Sequence, residues 1–406
     1  MVSQLKNARN SLFLVLCLTG FFAILSSTMS KSPVLPHFAE YLQTPEGFWT
    51  GVVAVASTIP GILISLPAGT LSDILGRRKL LLVSSFVFAS APFIYLLITD
   101  WWQLILVRFY HGFSTGMFVP VAQALIAENF PAKRGERISI FSSATIIGRT
   151  LAPLLGGYIL LITNYNFRTL YLAVGIASVT AFITAITFLK EKKTATERKD
   201  SKGATFRSII HGWKSVVKTP RIFTVSLVEA SQYYVYGSID FFLIKYLAKI
   251  AVDALLQGLI MASLLMAVVL SKPFFGRLSD KIGRRTPIIL GSIISAVALL
   301  WIPFSTYFPV LLLLAMVYGL GFSAVTSSTP ALISELVSVD MVGSAIGLLS
   351  TVMDIGQTLG PLVCSFILVS SLEYLGLFSS LSIILLFTGL VFAVSKVAKT
   401  KGKMLS

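Results

Sequence analysis

Charged residues are scarce in this chain of 406 residues: they make up 12%, where a soluble domain carries roughly 25%. Hydrophobic residues make up 55%, and the mean hydropathy is +0.85. Together these values exclude an ordinary soluble domain and indicate a chain solvated largely by lipid. Acidic residues are especially few, with 17 Asp and Glu against 33 Lys and Arg, for a net charge of +16.

Cysteine and histidine are also rare. Cys17 and Cys364 both lie in apolar stretches, so we predict two packing thiols rather than a disulfide or a zinc site. His37, His111 and His211 are scattered without metal-ligand spacing. No nucleotide-binding loop of the G-x-x-x-x-G-K-[ST] type is present, which excludes ATP as an energy source. We therefore expect no metal, no cofactor and no enzymatic activity.

Twelve apolar stretches are long enough to cross a bilayer, which takes about 20 residues of helix. The predicted spans, numbered 1 to 12 in chain order, are residues 11–36, 47–72, 79–98, 103–127, 138–161, 168–189, 222–248, 254–275, 286–304, 309–333, 342–369 and 374–395. The first is too long for a signal peptide and lacks a small-residue cleavage site. The sequence thus predicts an all-α membrane protein.

A basic polar stretch, residues 190–220, divides the spans into two sets of six. We predict an N-terminal six-helix bundle at 1–189, this linker, and a C-terminal bundle at 221–406. Lys and Arg are concentrated in the loops on the linker's side, which predicts that the linker and both termini are cytoplasmic, at a plasma membrane. Such charge favours contact with anionic lipid headgroups rather than nucleic acid. We expect a monomer.

One hydrophilic motif occurs twice, at 69–79 as G-T-L-S-D-I-L-G-R-R-K and at 276–285 as G-R-L-S-D-K-I-G-R-R. We predict a short turn between two spans at each copy. The same offset of 207 residues relates Glu128 to Glu335, so the two halves are repeats in the same orientation. Repeats of this kind enclose a site near the bilayer midplane and move around it.

These motifs resemble the signature loop of the major facilitator superfamily, and the resemblance covers essentially the whole chain. Residues 108–116 in span 4, R-F-Y-H-G-F-S-T-G, resemble the family's second motif. Residues 148–157 in span 5, G-R-T-L-A-P-L-L-G-G, resemble its third, which is associated with drug–proton antiporters. The resemblance implies a transporter with twelve helices in two six-helix bundles.

For the doubled loop the resemblance implies a gating role, in which Asp73 meets the N-terminus of span 11, where a negative charge is stabilised. Arg77 and Arg78 are expected to bind headgroups or acidic residues such as Glu128 and Glu136. The alternative is a topology determinant without a mechanical role. The gating candidates are Gly69, Asp73, Gly76, Arg77, Arg78, Gly276, Asp280, Gly283, Arg284 and Arg285.

The third motif has the small-residue spacing that lets helices touch, with Gly148, Ala152 and Gly156 four residues apart. Pro153 removes a backbone hydrogen bond and can bend the helix. Span 11 repeats the pattern, and plain helix packing would explain both. The packing candidates are Gly148, Pro153, Gly156, Gly157, Gly356, Gly360 and Pro361.

Charges inside spans are costly and mark functional residues by default. We expect Glu229, about 12 Å along span 7, to be the proton-coupling residue, with Asp354 as second choice. Asp240 lies about 28 Å along, where we expect it to be hydrated. Arg149 and Asp354 lie on equivalent faces of the halves and are expected to pair.

Glu229 shares a stripe of span 7 with two tyrosines suited to an aromatic or cationic substrate. The substrate-cavity candidates are Arg149, Gln232, Tyr233, Tyr236, Asp354 and Arg108. The alternative is a set of structural ion pairs that hold the bundle together.

The function that the sequence favours is secondary active transport by alternating access, as proton-coupled efflux of small amphiphilic compounds. One alternative is a proton symporter or uniporter of a small organic anion, because Arg149 and Arg108 could hold a carboxylate. Another is a membrane sensor or scaffold that does not transport.

Overall fold

The computed structural model describes residues 2–130, 133–189, 220–337 and 342–395, with the backbone alone for 2–10, 65–67, 69–70, 73–74, 220 and 342–344. Within these ranges the regular elements are α-helices and one short 3-10 helix, Ile302–Phe304, with no strand. The first-half helices are α1 Val2–Met29, α2 Val34–Tyr41, α3 Phe48–Val55, α4 Thr58–Leu75, α5 Arg77–Tyr95, α6 Trp101–Asn129, α7 Arg134–Ile162 and α8 Phe167–Phe188. The second-half helices are α9 Pro220–Lys249, α10 Ala254–Ile282, α11 Arg285–Trp301, α12 Phe308–Leu336, α13 Val342–Leu368 and α14 Glu373–Val394.

Ten helices in the described part of the chain are long and apolar enough to cross a membrane. The two predicted spans outside this set are span 2, which is divided between α3 and α4, and span 7, which is α9. Helix α9 has 30 residues and carries Glu229, Gln232 and Asp240. The prediction of an all-α membrane fold is confirmed.

Span 2 is not one helix, contrary to the prediction of a continuous span at 47–72. Helix α3 ends at Val55 and α4 begins at Thr58. At this break the Arg108 guanidinium donates from Nε to the Val53 carbonyl at 2.9 Å and from Nη2 to the Ser57 hydroxyl at 2.7 Å. The Arg108 side chain of α6 thus stabilises a helix break that the sequence of span 2 does not predict.

The doubled motif is mostly helical, contrary to the predicted turn. Helix α4 continues to Leu75 and α10 to Ile282, so the helix is interrupted only at Gly76 in the first copy and at Gly283 and Arg284 in the second. Gly76 has φ 96° and Gly283 has φ 88°, the left-handed region that glycine occupies without steric cost.

The chain divides into two compact units. Unit one comprises Met1–Glu197 and Ile244–Ala262, and unit two comprises Arg198–Leu243 and Ser263–Ser406. Unit one has a core around Phe118 and Phe141, and unit two has one around Val325 and Phe392. The bundle limits 1–189 and 221–406 stay a prediction, and residues 190–219 of the predicted linker lie outside the described residues.

Candidate functional site

In unit two, one face of α9 packs on α12 and carries the first proton-coupling candidate. Glu229 is 1% exposed, and the Thr329 hydroxyl donates a hydrogen bond to its carboxylate. Lys272 of α10 is near enough to act electrostatically on this carboxylate. A carboxyl buried with one hydroxyl donor and a nearby cation has two means of neutralisation, a proton or the ammonium group. This arrangement suits a group that exchanges a proton.

The two tyrosines of the same stripe meet an aromatic residue of α12. The ring centroids of Tyr233 and Phe322 are 5.3 Å apart, and those of Tyr236 and Phe322 are also 5.3 Å apart with an interplanar angle of 28°. Both tyrosines are partly exposed. Their ring faces can therefore stack on an aromatic substrate or attract a cation.

Gln232 lies one turn before Tyr236 on α9, but its side chain contacts a different helix. Its side chain is fully buried, and its Nε2 lies 3.5 Å from the Ser292 hydroxyl of α11. Gln232 thus contacts α11, whereas Tyr233 and Tyr236 contact Phe322 of α12, and its place in the substrate cavity stays a prediction.

The expectation that Asp240 is hydrated is wrong. Its residue surface is 8% exposed. The position of Asp240 along the helix axis places it toward the outer end of α9. Neighbouring residues nevertheless shield Asp240 from solvent there.

Arg108 is buried in unit one, where it holds the break between α3 and α4. His111, one turn along α6, lies against the rings of Phe88 and Tyr95 at centroid distances of 5.9 and 6.0 Å. The hydrogen bonds of Arg108 to Val53 and Ser57 hold its side chain at the helix break. They favour a structural role for Arg108 over a place in the substrate cavity.

Arg149 and Asp354 belong to different units. Arg149 is exposed on α7 in unit one, and Asp354 is half-buried on α13 in unit two. Their pairing stays a prediction.

In both copies of the doubled motif the first arginine forms a salt bridge with a glutamate of the same half. Arg77 Nη2 is 2.7 Å from Glu128 Oε1, and Arg284 Nε is 2.9 Å from Glu335 Oε1. In the second copy the Asp280 carboxylate also pairs with Arg284. The side chain of Asp73 lies outside the described residues, and so does the environment of Gly69. The gating role stays a prediction.

The arginines also donate to serines of the same copies. The partner of Arg77 is Ser72, and Arg284 Nη1 lies 2.6 Å from Ser279 Oγ. Arg285 Nη2 donates to the Ala393 carbonyl of α14 at 2.6 Å. These contacts fix the ends of α4 and α10 on their own units.

The small residues of spans 5 and 11 lie where helix backbones touch. A Cβ added to Gly148 would come 2.6 Å from the Phe21 carbonyl oxygen of α1. In unit two a Cβ at Gly356 would come 2.3 Å from the Ala230 oxygen, and at Gly360 2.0 Å from the Tyr234 oxygen, both on α9. A Cβ at Gly157 would come 2.2 Å from the Ala254 oxygen, whereas one at Gly156 would come no closer than 3.3 Å, to the Met29 side chain. Pro153 and Pro361 lie inside α7 and α13.

Lys272 and Thr329 were missed as site residues by the sequence interpretation. Lys272 falls inside predicted span 8 at 254–275. An intramembrane charge is a functional signal by itself. Thr329 carries no such signal, since its relation to Glu229 depends on how α9 and α12 pack.

The chain matches the family model described as Major Facilitator Superfamily over residues 16–251 and 225–403. It is 27% identical over 352 residues to the multidrug resistance protein MdtG of Proteus mirabilis, which covers 82% of this chain and 84% of that protein. It is 25% identical over 346 residues to an uncharacterized MFS-type transporter of Methanocaldococcus jannaschii, covering 83% of this chain and 86% of that one.

Solved structures share the fold. The nucleoside transporter NupG superposes with a TM-score of 0.77 at 16% identity, over 95% of this chain and 100% of that chain. The human organic anion transporter MFSD10 superposes with a TM-score of 0.66 at 17% identity, over 95% and 99%.

Proposed function

We propose that this chain, which belongs to the major facilitator superfamily and is a multi-pass membrane transporter rather than an enzyme, exports small amphiphilic compounds in exchange for protons. The observation that carries the proposal is the stripe of α9. There a buried carboxyl, Glu229, lies one and two turns from Tyr233 and Tyr236 on one helix face. Binding of a substrate at the tyrosines and of a proton at Glu229 can thus compete.

Proton exchange at Glu229 rests on its contacts. Its partners are a neutral hydroxyl, Thr329, and a cation at longer range, Lys272. A change in the distance of that cation, or in water access, shifts the balance between the protonated and ionised carboxyl. Alternating access supplies such a change in each cycle, so the group can take up a proton on one side and release it on the other.

The substrate class is inferred from the aromatic group and from the relatives. The rings of Tyr233, Tyr236 and Phe322 form an apolar surface with polar edges, which suits a flat amphiphile. The name of MdtG speaks of multidrug resistance in that protein, and we extend it to this chain at the level of chemical class. The location is proposed to be the plasma membrane, with both termini in the cytoplasm.

A second candidate is transport of a small organic anion. Arg149 is exposed on α7, and a guanidinium in this position could bind a carboxylate in two hydrogen bonds. In this case substrate and proton would move together rather than in opposite directions.

Purified protein in liposomes with an internal pH-sensitive dye distinguishes these functions. If the protein exchanges a cationic amphiphile for protons, addition of that compound should dissipate an imposed pH gradient. The reason is that substrate and protons cross the membrane in opposite directions. Movement of protons with an organic anion, in the same direction, would support the second candidate. No substrate-dependent proton flux over a panel of cationic, neutral and anionic compounds would contradict proton-coupled transport.

A further inference from the structure

The outer ends of α9 and α10, residues Ile244–Ala262, belong to unit one and contact first-half residues there. His37 Nε2 of α2 is 2.7 Å from the Gln257 Oε1 atom of α10. Lys245 Nζ of α9 is 2.9 Å from Glu46 Oε1, in the segment between α2 and α3. We call His37, Gln257, Glu46 and Lys245 the outer latch, since the predicted topology places them on the outer side.

Tight backbone contacts accompany the latch. A Cβ at Gly157 of α7 would lie 2.2 Å from the Ala254 oxygen of α10, and a Cβ at Gly258 of α10 would lie 2.2 Å from the Pro153 oxygen of α7. The two helices therefore touch backbone to backbone and leave no room for a solute between them. A path between α7 and α10 can open only if these contacts and the latch separate.

We infer that His37 is a proton-responsive residue of the transport cycle: its neutral ring holds Gln257 and keeps the outer latch closed, and its protonation from the outside opens the latch. This inference rests on the proposed alternating-access transport. It adds a proton-binding group on the outer side, separate from Glu229.

The hydrogen bonds of Gln257 define the tautomer of the neutral ring. Its Nε2 donates to the Val252 carbonyl at 2.8 Å, which leaves its Oε1 facing His37. An amide oxygen only accepts, so the ring donates from Nε2 and, when neutral, has a bare Nδ1. A second proton on Nδ1 would place a positive charge in a site that the latch keeps partly away from water.

Burial lowers the pKa of His37 below its ordinary 6.5, against the raising effects of the Gln257 hydrogen bond and of Glu40 on the same helix. Within the part of the chain that the structure describes, the groups facing the ring from other elements are Gln257 and Tyr165, whose ring centroid is 5.1 Å away in an edge contact. Asp253 is near enough to Tyr165 to act on it electrostatically. Because the closed latch binds the proton less well than a hydrated histidine does, a falling outer pH favours the open latch.

The Glu46–Lys245 pair titrates in a different range. Its hydrogen bond to Lys245, followed by the charge of Lys245, lowers the pKa of Glu46 below its ordinary 4.5. The stabilisation from this pair is therefore present above pH 4.5 and is lost only as the pH falls through that lowered pKa. At about pH 5.5 the pair is intact, so a response between about pH 7.5 and about pH 5.5 belongs to His37.

Spin labels on either side of the latch test this inference. Cysteines replace the exposed Leu97 and Ala251 in the full chain, with Cys17→Ser and Cys364→Ser, and the label distance is measured in liposomes by pulsed electron paramagnetic resonance. We expect a longer-distance population to grow from about pH 7.5 to about pH 5.5. His37→Gln retains an amide donor for Gln257 and should remove that growth. His37→Ala removes the donor and should give the longer distance at both pH values.

An unchanged distance over this pH range, or an unaltered pH response in His37→Gln, would overturn the inference. The measurement uses neither substrate nor an imposed gradient, so it is independent of whether drug export is the right function. If the label distance does not respond to pH but transport is still driven by protons, the role of His37 is refuted and the proposed function is not. If the label distance responds to pH but transport is not driven by protons, the proposed function is refuted and the role of His37 is not.

Discussion

Arg77 contacts the Glu128 carboxylate through two guanidinium nitrogens, Nε at 3.0 Å and Nη2 at 2.7 Å from Oε1. The equivalent contact joins Arg284 and Glu335 in the second half, and in both the residues are 51 positions apart. The doubled motif thus builds the same brace twice, each within its own unit. It connects the end of α6 to the start of α5, and the end of α12 to the turn before α11.

The brace should stabilise each half modestly. Glu128 and Glu335 have side chains 52% and 54% exposed, and exposed ion pairs contribute about 0.2–1 kcal/mol. A double-mutant cycle with Arg77→Lys and Glu128→Gln should give a coupling energy in that range by thermal unfolding in detergent. The matched cycle with Arg284→Lys and Glu335→Gln should give a similar value. A coupling of zero in both would mean that the contacts add no stability.

Asp73→Asn should reduce transport strongly while expression and thermal stability stay near those of the wild type. The physical reason is the proposed contact of its charge with a helix N-terminus in one state of the cycle. Asp280→Asn is the matched variant and should have a weaker effect, because Asp280 is paired with Arg284 within its own motif. Initial transport rates in liposomes measure both. A normal rate for Asp73→Asn with a reduced rate for Asp280→Asn would reverse the assignment.

Gly360→Ala and Gly148→Ala should lower the free energy of unfolding, since each added methyl group meets a carbonyl oxygen of the facing helix. Overpacking of this kind costs typically ~1–3 kcal/mol. Gly135→Ala is the control, because nothing lies within 4 Å of a Cβ there and alanine favours a helix. Thermal unfolding of the purified variants would contradict the packing account if all three behaved alike.

Arg149→Gln and Asp354→Asn should each reduce transport, and the double variant should be milder than either single change. Removing one member of a pair leaves the other uncompensated. In this structure Arg149 is exposed, so the single losses should appear in transport rates more than in stability. Additive losses in the double variant would show that the two residues do not pair during the cycle.

The sequence predicted most helix limits within a few residues, because hydrophobic runs of about 20 residues and their flanking charges define spans directly. It could not predict the break at Val55–Thr58, which depends on Arg108 arriving from another helix. The predicted turns at 69–79 and 276–285 are too long, because the polar residues there continue the preceding helices beyond their apolar parts. Thr329 and the buried state of Asp240 depend on how helices pack, which periodicity along one helix does not contain.

If a proton on Glu229 drives transport, two activities of the Glu229→Gln variant in liposomes should separate. We expect this variant to bind substrate and exchange labelled for unlabelled substrate, but to build no substrate gradient from a pH gradient. Thr329→Val removes the hydroxyl donor and leaves the carboxyl, so it should keep gradient-driven transport with a shifted pH profile. A Glu229→Gln protein that still accumulates substrate from a pH gradient would contradict the account and move proton coupling to Asp354 or elsewhere.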